Sequence, residues 1–231
     1  MEIKLVSVVL PVYNQADHIQ RVLEEYLAAL KTFHLNYELL PVINGRRRDN
    51  SLEICQAMQE KFPCIRTLHI EEGGWGRAVR HGLSQAKGEL LCYTNSARTT
   101  AKELMLALIY GAVHPGAVIK ANRKIRESVE RRMGSLLYNL ECRALFDLPY
   151  WDVNGTPKVF GRELTPLMNL SRNDDLIDLE FNAICRREDY AVIEVPVFST
   201  SRRSGASTTT LRSAFHMYWN AYQFRREFQK K

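Results

Sequence analysis

Arginines at positions 46 to 48, 77 and 98 are the side chains best suited to chemistry in this sequence, because a guanidinium fork matches the oxygens of phosphate. Each charge-assisted hydrogen bond of that kind contributes about 1.5–3 kcal/mol, so two or three converging arginines would hold a phosphorylated ligand. Solvated surface is the alternative reading for any one of them. Asp178 and Glu180 stand two positions apart in IDLEF. Alternation would put both carboxylates on one side of an extended segment, whereas on a helix they diverge by about 200°.

Elements that would position these residues follow from the apolar pattern. KLVSVVL, from Lys4 to Leu10, is a β-branched run closed by Pro11, as expected of a buried parallel strand. Ile19, Val22, Leu23, Tyr26, Leu27 and Leu30 then recur at helical spacing. Tyr37 to Ile43 predicts a second strand, with Pro41 awkward inside it, ending at the turn-forming pair Asn44-Gly45. Helices are predicted over Leu52–Phe62 and Gly76–Lys87, and strands over Ile65–Ile70 and Glu89–Tyr93. Alternation of strand and helix with short connections implies an α/β chain with an open, mostly parallel sheet and helices on both faces. Ligands of such sheets sit beyond the carboxyl ends of the strands, which gathers Pro11–Gln15, Asn44–Asp49, Gly73–Arg77 and Asn95–Thr99 around one crevice.

Composition limits the alternatives. The 231 residues are 45% apolar and 25% charged, enough for one large folded domain, here 1–210, with 211–231 as a basic aromatic C-terminal helix. No run approaches the roughly 18–20 apolar residues of a membrane span, and the start lacks a signal-peptide cleavage region, so a cytoplasmic protein is expected. A net charge of +6 suits phosphorylated ligands, an anionic membrane face or nucleic acid. No nucleic-acid-binding motif accompanies the charge, and nucleic acid is not expected as a partner. Five scattered cysteines without a C-x-x-C pair read as reduced thiols. Leu211, Phe215, Tyr218 and Tyr222 recur at helical spacing among basic residues, the pattern of an interfacial anchor or of a helix packed on the domain or on another subunit.

VSVVLPVYNQADHI, INGRRRDNS and AKGELLCYTNS, in that order and spacing, resemble the first strand and loop, the second-strand motif and the approach to the Asp-x-Asp motif of family 2 glycosyltransferases. The segment from RRMGSLLYN through DVNGTPKVFGRE, DLEF and SRRSGAST is similar to the second half of the dolichyl- or polyprenyl-phosphate sugar synthase branch, so the resemblance runs from about Ile3 to Thr210.

That resemblance implies a GT-A fold, a nucleotide-diphosphate sugar donor, a lipid-phosphate or glycan acceptor, and inversion at the sugar; the aromatic and basic helix 211–231, read as an interfacial anchor, would bring the crevice to the inner membrane surface. It assigns Pro11, Tyr13 and Gln15 to the nucleotide-facing loop, Asn44 to nucleobase contact and Asp49 to the last aspartate of the second motif. For Asn44 and Asp49, a turn and a helix cap remain an equal reading. Asp152 and Lys158 match the synthase branch's D-T-x-S-G-F-K, Glu180 matches an acceptor-side carboxylate, with a helix surface or structural ion pair as an equal reading, and Arg202 matches a phosphate-contacting arginine. The departure is central. Asn95 and Ala97 stand where the family has its two metal-binding carboxylates, and an amide plus a methyl group cannot hold a divalent ion in their manner. No metal cofactor is therefore expected, and Arg77 and Arg98 are expected to meet the diphosphate instead. The alternative is an inactive relative that binds nucleotide, glycan or a partner subunit.

Overall fold

The computed structural model of the chain describes residues 2–124, 129–198 and 211–229. In chain order the elements are β1 (Leu5–Val12), α1 (Ile19–Leu30), β2 (Asn36–Asn44), α2 (Ser51–Lys61), β3 (Leu68–Ile70), α3 (Trp75–Gln85), β4 (Leu90–Tyr93), α4 (Ala101–Val113), β5 (Val118–Arg123), α5 (Val129–Phe146), β6 (Lys158–Gly161), α6 (Thr165–Met168), α7 (Ile177–Arg187), β7 (Val192–Val197) and α8 (Leu211–Phe228). Among the described residues seven strands make one sheet in the order β3-β2-β1-β4-β6-β5-β7. Every pairing is parallel except those of β6, which runs against both β4 and β5. The expected α/β architecture, a mostly parallel sheet between helices, is the one observed.

Period-two alternation divides the core between the two faces. Val8, Leu10 and Val12 of β1 pack with α1, α2 and α4, while Val9 points to the opposite face, which α3, α5 and α7 cover. The six apolar positions of α1 read from the sequence are all buried. Gly82 lets α3 lie close on the sheet, since a Cβ there would stand 2.3 Å from Val9. Thr100 and Glu103 form a reciprocal capping box that starts α4.

Pro41 is accommodated by strand parity. Leu39 bonds through its N–H and C=O to Cys64 and Arg66, so Pro41 turns its missing donor to that same side. Regular pairing with β3 resumes only at Val42 and Leu68, which explains why β3 begins at Leu68 rather than at the expected Ile65. Glu89 lies just outside β4; its carboxylate accepts the backbone N–H groups of Lys4 and Leu5, and its backbone oxygen accepts from Arg162. IDLEF is helical, so the alternative that placed Asp178 and Glu180 on one side of an extended segment does not apply. No helix among the described residues is long and apolar enough to cross a membrane.

Candidate functional site

Three loops at the carboxyl ends of β1, β2 and β3 are sewn together by side chains read as ligand contacts. Asn44 is buried; its Nδ2 donates to Val12 O at 3.0 Å and its Oδ1 accepts from Gly74 N–H at 3.2 Å. Asp49 accepts from Ala16 N–H at 2.8 Å and from the Ser51 N–H and hydroxyl at 3.0 and 2.7 Å. Burial opposes ionisation of Asp49, but these donors outweigh it and hold its pKa below the usual carboxylate value. Asn14, at φ 50°, accepts from Arg48 N–H at 2.9 Å. Tyr13 is half exposed, its ring lying over Gly45, whose φ of +75° and lack of a Cβ allow the approach. The N–H of Gln15 bonds to Ser51 Oγ at 2.8 Å.

After β4 the chain folds into a closed turn. The Oδ1 of Asn95 accepts from Ala97 N–H at 3.0 Å, and its backbone oxygen accepts from the N–H groups of Arg98 and Thr99. Ser96 donates to Gln15 Oε1 at 2.6 Å and to Pro11 O at 3.3 Å, tying this turn to the β1 loop. Ala97 is buried. A divalent ion does not fit these residues: position 95 offers one amide oxygen already engaged within the turn, and position 97 offers none. Among the described residues no three His, Cys, Asp or Glu side chains come together as metal ligands.

The arginines divide. Arg46 and Arg48 are exposed on the β2–α2 loop, and Arg47 pairs with Glu53 at 3.4 Å. Arg77 pairs with Glu72, keeps a buried Nε without a hydrogen-bond partner among the described residues, and donates its backbone N–H to Asn173 O at 3.1 Å. Arg98 is half-buried beside the Asn95 turn. Arg202 lies outside the described residues.

Beneath the crevice lies a buried ionic cluster. Lys158, first residue of β6, contacts Asp178 directly, and the same carboxylate accepts from Tyr93 Oη at 2.9 Å and Trp75 Nε1 at 3.2 Å. Burial pulls the Lys158 pKa down despite its partner, and burial followed by the Asp178 charge pushes the Tyr93 phenol up. Next to Lys158 in the sheet stands Lys120, fully buried, with its pKa lowered to about 8 by burial and then by Lys158. Its ammonium donates to the backbone oxygens of Trp151 and Asp152. Asp152 grips Arg123, accepting from its backbone N–H at 2.8 Å, Nε at 2.7 Å and Nη2 at 2.6 Å.

Glu180 is held the same way. Its oxygens accept from the Ser171 and Arg172 backbone N–H groups at 2.9–3.0 Å and from the Ser171 hydroxyl, so it anchors the segment leading into α7. That segment packs on the start of α3: a Cβ on Gly76 would lie 2.5 Å from Arg172 O and 2.6 Å from Asp174 O. Here the structure presents a carboxylate that sequence reasoning missed. Asp175 is exposed at this edge, yet crowding by protein and then the charges of Asp178 and Asp174 raise its pKa. The adjacent pair Asp174-Asp175 ahead of IDLEF was the available signal.

The family model described as Glycosyl transferase family 2 matches residues 7–163. Glycosyltransferase GlyG of Streptococcus pneumoniae is 36% identical over 111 residues, 48% of this chain and 35% of that protein. The undecaprenyl-phosphate 4-deoxy-4-formamido-L-arabinose transferase of Klebsiella pneumoniae is 25% identical over 208 residues, covering 89% of this chain and 62% of that protein. This chain thus spans less than two thirds of either relative. Glucosyl-3-phosphoglycerate synthase of Mycobacterium tuberculosis, solved with Mn2+, UDP and phosphoglyceric acid, superposes with a TM-score of 0.74 at 17% identity over 96% of this chain and 78% of that one. With a family match across most of the sheet and its crevice loops, this chain belongs to glycosyl transferase family 2.

Proposed function

We propose that this protein transfers a sugar from a nucleotide-diphosphate donor to a polyprenyl phosphate or a glycan hydroxyl, without the divalent ion of its structural neighbours. The observation that carries the reading is the crevice itself: the loops after β1, β2, β3 and β4 are tied to one another through Asn44, Asp49, Gln15 and Ser96. Such a preformed rim holds a nucleoside and its diphosphate without reorganising. Tyr13 faces the nucleoside, with Pro11 buried in β1 beneath the loop, and Arg46, Arg48 and Arg98 lie at the rim where the leaving diphosphate gathers charge.

The acceptor decides what else is required. A phosphate oxygen is ionised near neutral pH and needs positioning rather than a base. A hydroxyl needs a proton acceptor, and Asp175 fits that role better than Glu180 or Asp152, whose oxygens are engaged by Ser171, Arg172 and Arg123. The names of the relatives from Klebsiella and other bacteria, which act on undecaprenyl phosphate, support the lipid-phosphate acceptor. Exposed Trp219 and Tyr222 on α8, beside Arg225 and Arg226, support a peripheral position on an anionic membrane surface.

A second reading, a nucleotide- or glycan-binding relative without turnover, is favoured by one observation: Asn95 and Ala97 leave the motif without a carboxylate. Titration calorimetry with UDP, GDP and their sugars, in EDTA and in manganese, followed by donor turnover with polyprenyl phosphate, separates the readings. Metal-independent binding with turnover supports transfer, binding without turnover supports the second reading, and absence of binding to every nucleotide overturns transfer and leaves the second reading only as a glycan binder.

A further inference from the structure

Helix α4 is apolar on both of its sides. Leu104, Ala107, Leu108 and Gly111 face the sheet and are buried, as expected of a covering helix. Turned 180° from them, Leu106, Ile109, Tyr110 and Val113 form a second stripe at i, i+3, i+4 and i+7, and they are 40%, 45%, 38% and 65% exposed. A helix apolar all round is normally covered on all sides, and a contiguous apolar patch on a soluble surface marks a docking site.

Charge decides what the stripe receives. The molecule carries +6, so most faces repel a second copy. The outward stripe of α4 carries no Asp, Glu, Lys, Arg or His between Leu106 and Val113. A membrane-docking helix needs a cationic flank, as α8 has in Arg225 and Arg226, and α4 lacks one. Lys102 sits alone in line with the stripe at its amino-terminal end, and Glu103 is engaged in the capping box with Thr100. The last turn of α4 contains no lysine or arginine, and the residue that caps its carbonyl end is His114.

We propose that this face binds a second copy of the chain, with the two α4 helices antiparallel across a two-fold axis midway between the levels of Leu106 and Ile109. In that arrangement each Lys102 approaches the carbonyl end of the partner helix, whereas parallel packing would set Lys102 against Lys102. The face is about one helix wide, short of the roughly 800 Å² per partner of a standard stable interface, so association is weak and concentration-dependent.

Sedimentation equilibrium of the full chain, from about 1 to 200 μM, tests this over the range expected of a small interface. The expected result is a monomer–dimer equilibrium that Ile109→Glu weakens at least tenfold, with an unchanged melting curve, since the position is exposed in the monomer. Ile109→Cys should give a covalent dimer on mild oxidation in yields that the wild type, with Cys64 half-buried and its other cysteines buried, does not reach. A wild type that stays monomeric throughout overturns the proposal, as does a dimer indifferent to Ile109→Glu. Loss of liposome binding in Ile109→Glu from a monomeric wild type would assign the face to lipid and overturn it equally. None of these outcomes depends on nucleotide binding or turnover.

Discussion

Lys158 and Asp178 meet in direct contact with both side chains removed from solvent, one opening β6 and the other in the first turn of α7. Through the same carboxylate, Trp75 at the start of α3 and Tyr93 at the end of β4 are fixed relative to each other. Removing the carboxylate strands an ammonium in the interior, so Asp178→Ala should destabilise the fold by about 3–5 kcal/mol and Asp178→Asn by less. Urea unfolding at pH 7 measures this, and a loss below about 1 kcal/mol in Asp178→Ala would show that the pair does not hold the cluster together.

Lys120 gives a pH signature with a defined sign. Its folded pKa, about 8, lies below the ordinary 10.5, so the unfolded chain binds more protons between those values and stability rises with pH across that window. Below about pH 8 the cost of charging Lys120 in the interior is fully present. The stability of the wild type relative to Lys120→Met should therefore increase from pH 8 to pH 10, by on the order of 2 kcal/mol. Paired urea melts at the two pH values read it, and a difference that is flat or falls would contradict the burial account.

Asn95→Asp with Ala97→Asp tests the departure at the crevice. Wild-type nucleotide affinity should be unchanged by EDTA, whereas the double variant should acquire affinity for manganese, at a stability cost of about 1–3 kcal/mol because position 97 is buried. Calorimetric titration of manganese into both proteins provides the comparison. Strong EDTA sensitivity in the wild type would mean that oxygen ligands from elsewhere recruit an ion.

Gly76→Ala drives a methyl group into two backbone oxygens, at 2.5 and 2.6 Å, which cannot yield as a flexible side chain would. The segment from Arg172 to Asp175 should be displaced from α3, with a loss of about 1–3 kcal/mol. Donor turnover should fall more than that loss accounts for, and equal activity in the variant would show that the segment is not part of the site.

Asp175→Asn should lower transfer to a hydroxyl acceptor by about 10²- to 10⁴-fold and leave nucleotide binding intact. Because the Asp175 pKa is raised, wild-type activity on such an acceptor should decline on acidification at a higher pH than an ordinary carboxylate gives. With a phosphate acceptor the same variant should turn over nearly as the wild type does, which makes the pair of rates a readout of acceptor class.

The sheet and its helices were legible because their signals are local: the buried stripe of α1 and the β-branched run of β1 announce themselves within a dozen residues. Strand ends were less so, since the start of β3 depends on a proline one strand away. Site residues proved harder for a different reason. Asn44, Asp49 and Asp152 were visible as polar residues at chemically suggestive positions, but their partners, Gly74, Ala16 and Arg123, lie 29 to 33 residues away in sequence. Trp75 and Asp178 are separated by 103 residues, and no pattern along the chain links them. Asp175 has no signal of its own along the chain, because what raises its pKa is crowding by folded segments and then the charges of Asp178 and Asp174.

The reversed direction of β6 sets where this protein tolerates change in loop length. β6 pairs Lys158 with Tyr93, so it enters the sheet at the crevice edge and leaves, at Gly161, on the opposite edge beside Leu90. Its parallel neighbours do the reverse. An inserted residue between Asp152 and Lys158 would shift both ends of the ionic cluster at once, whereas the same insertion after Gly161 falls on the far side of the molecule. For β6 alone, therefore, the connection before the strand is the restricted one, and drift in loop length among relatives should concentrate in the connection that follows it.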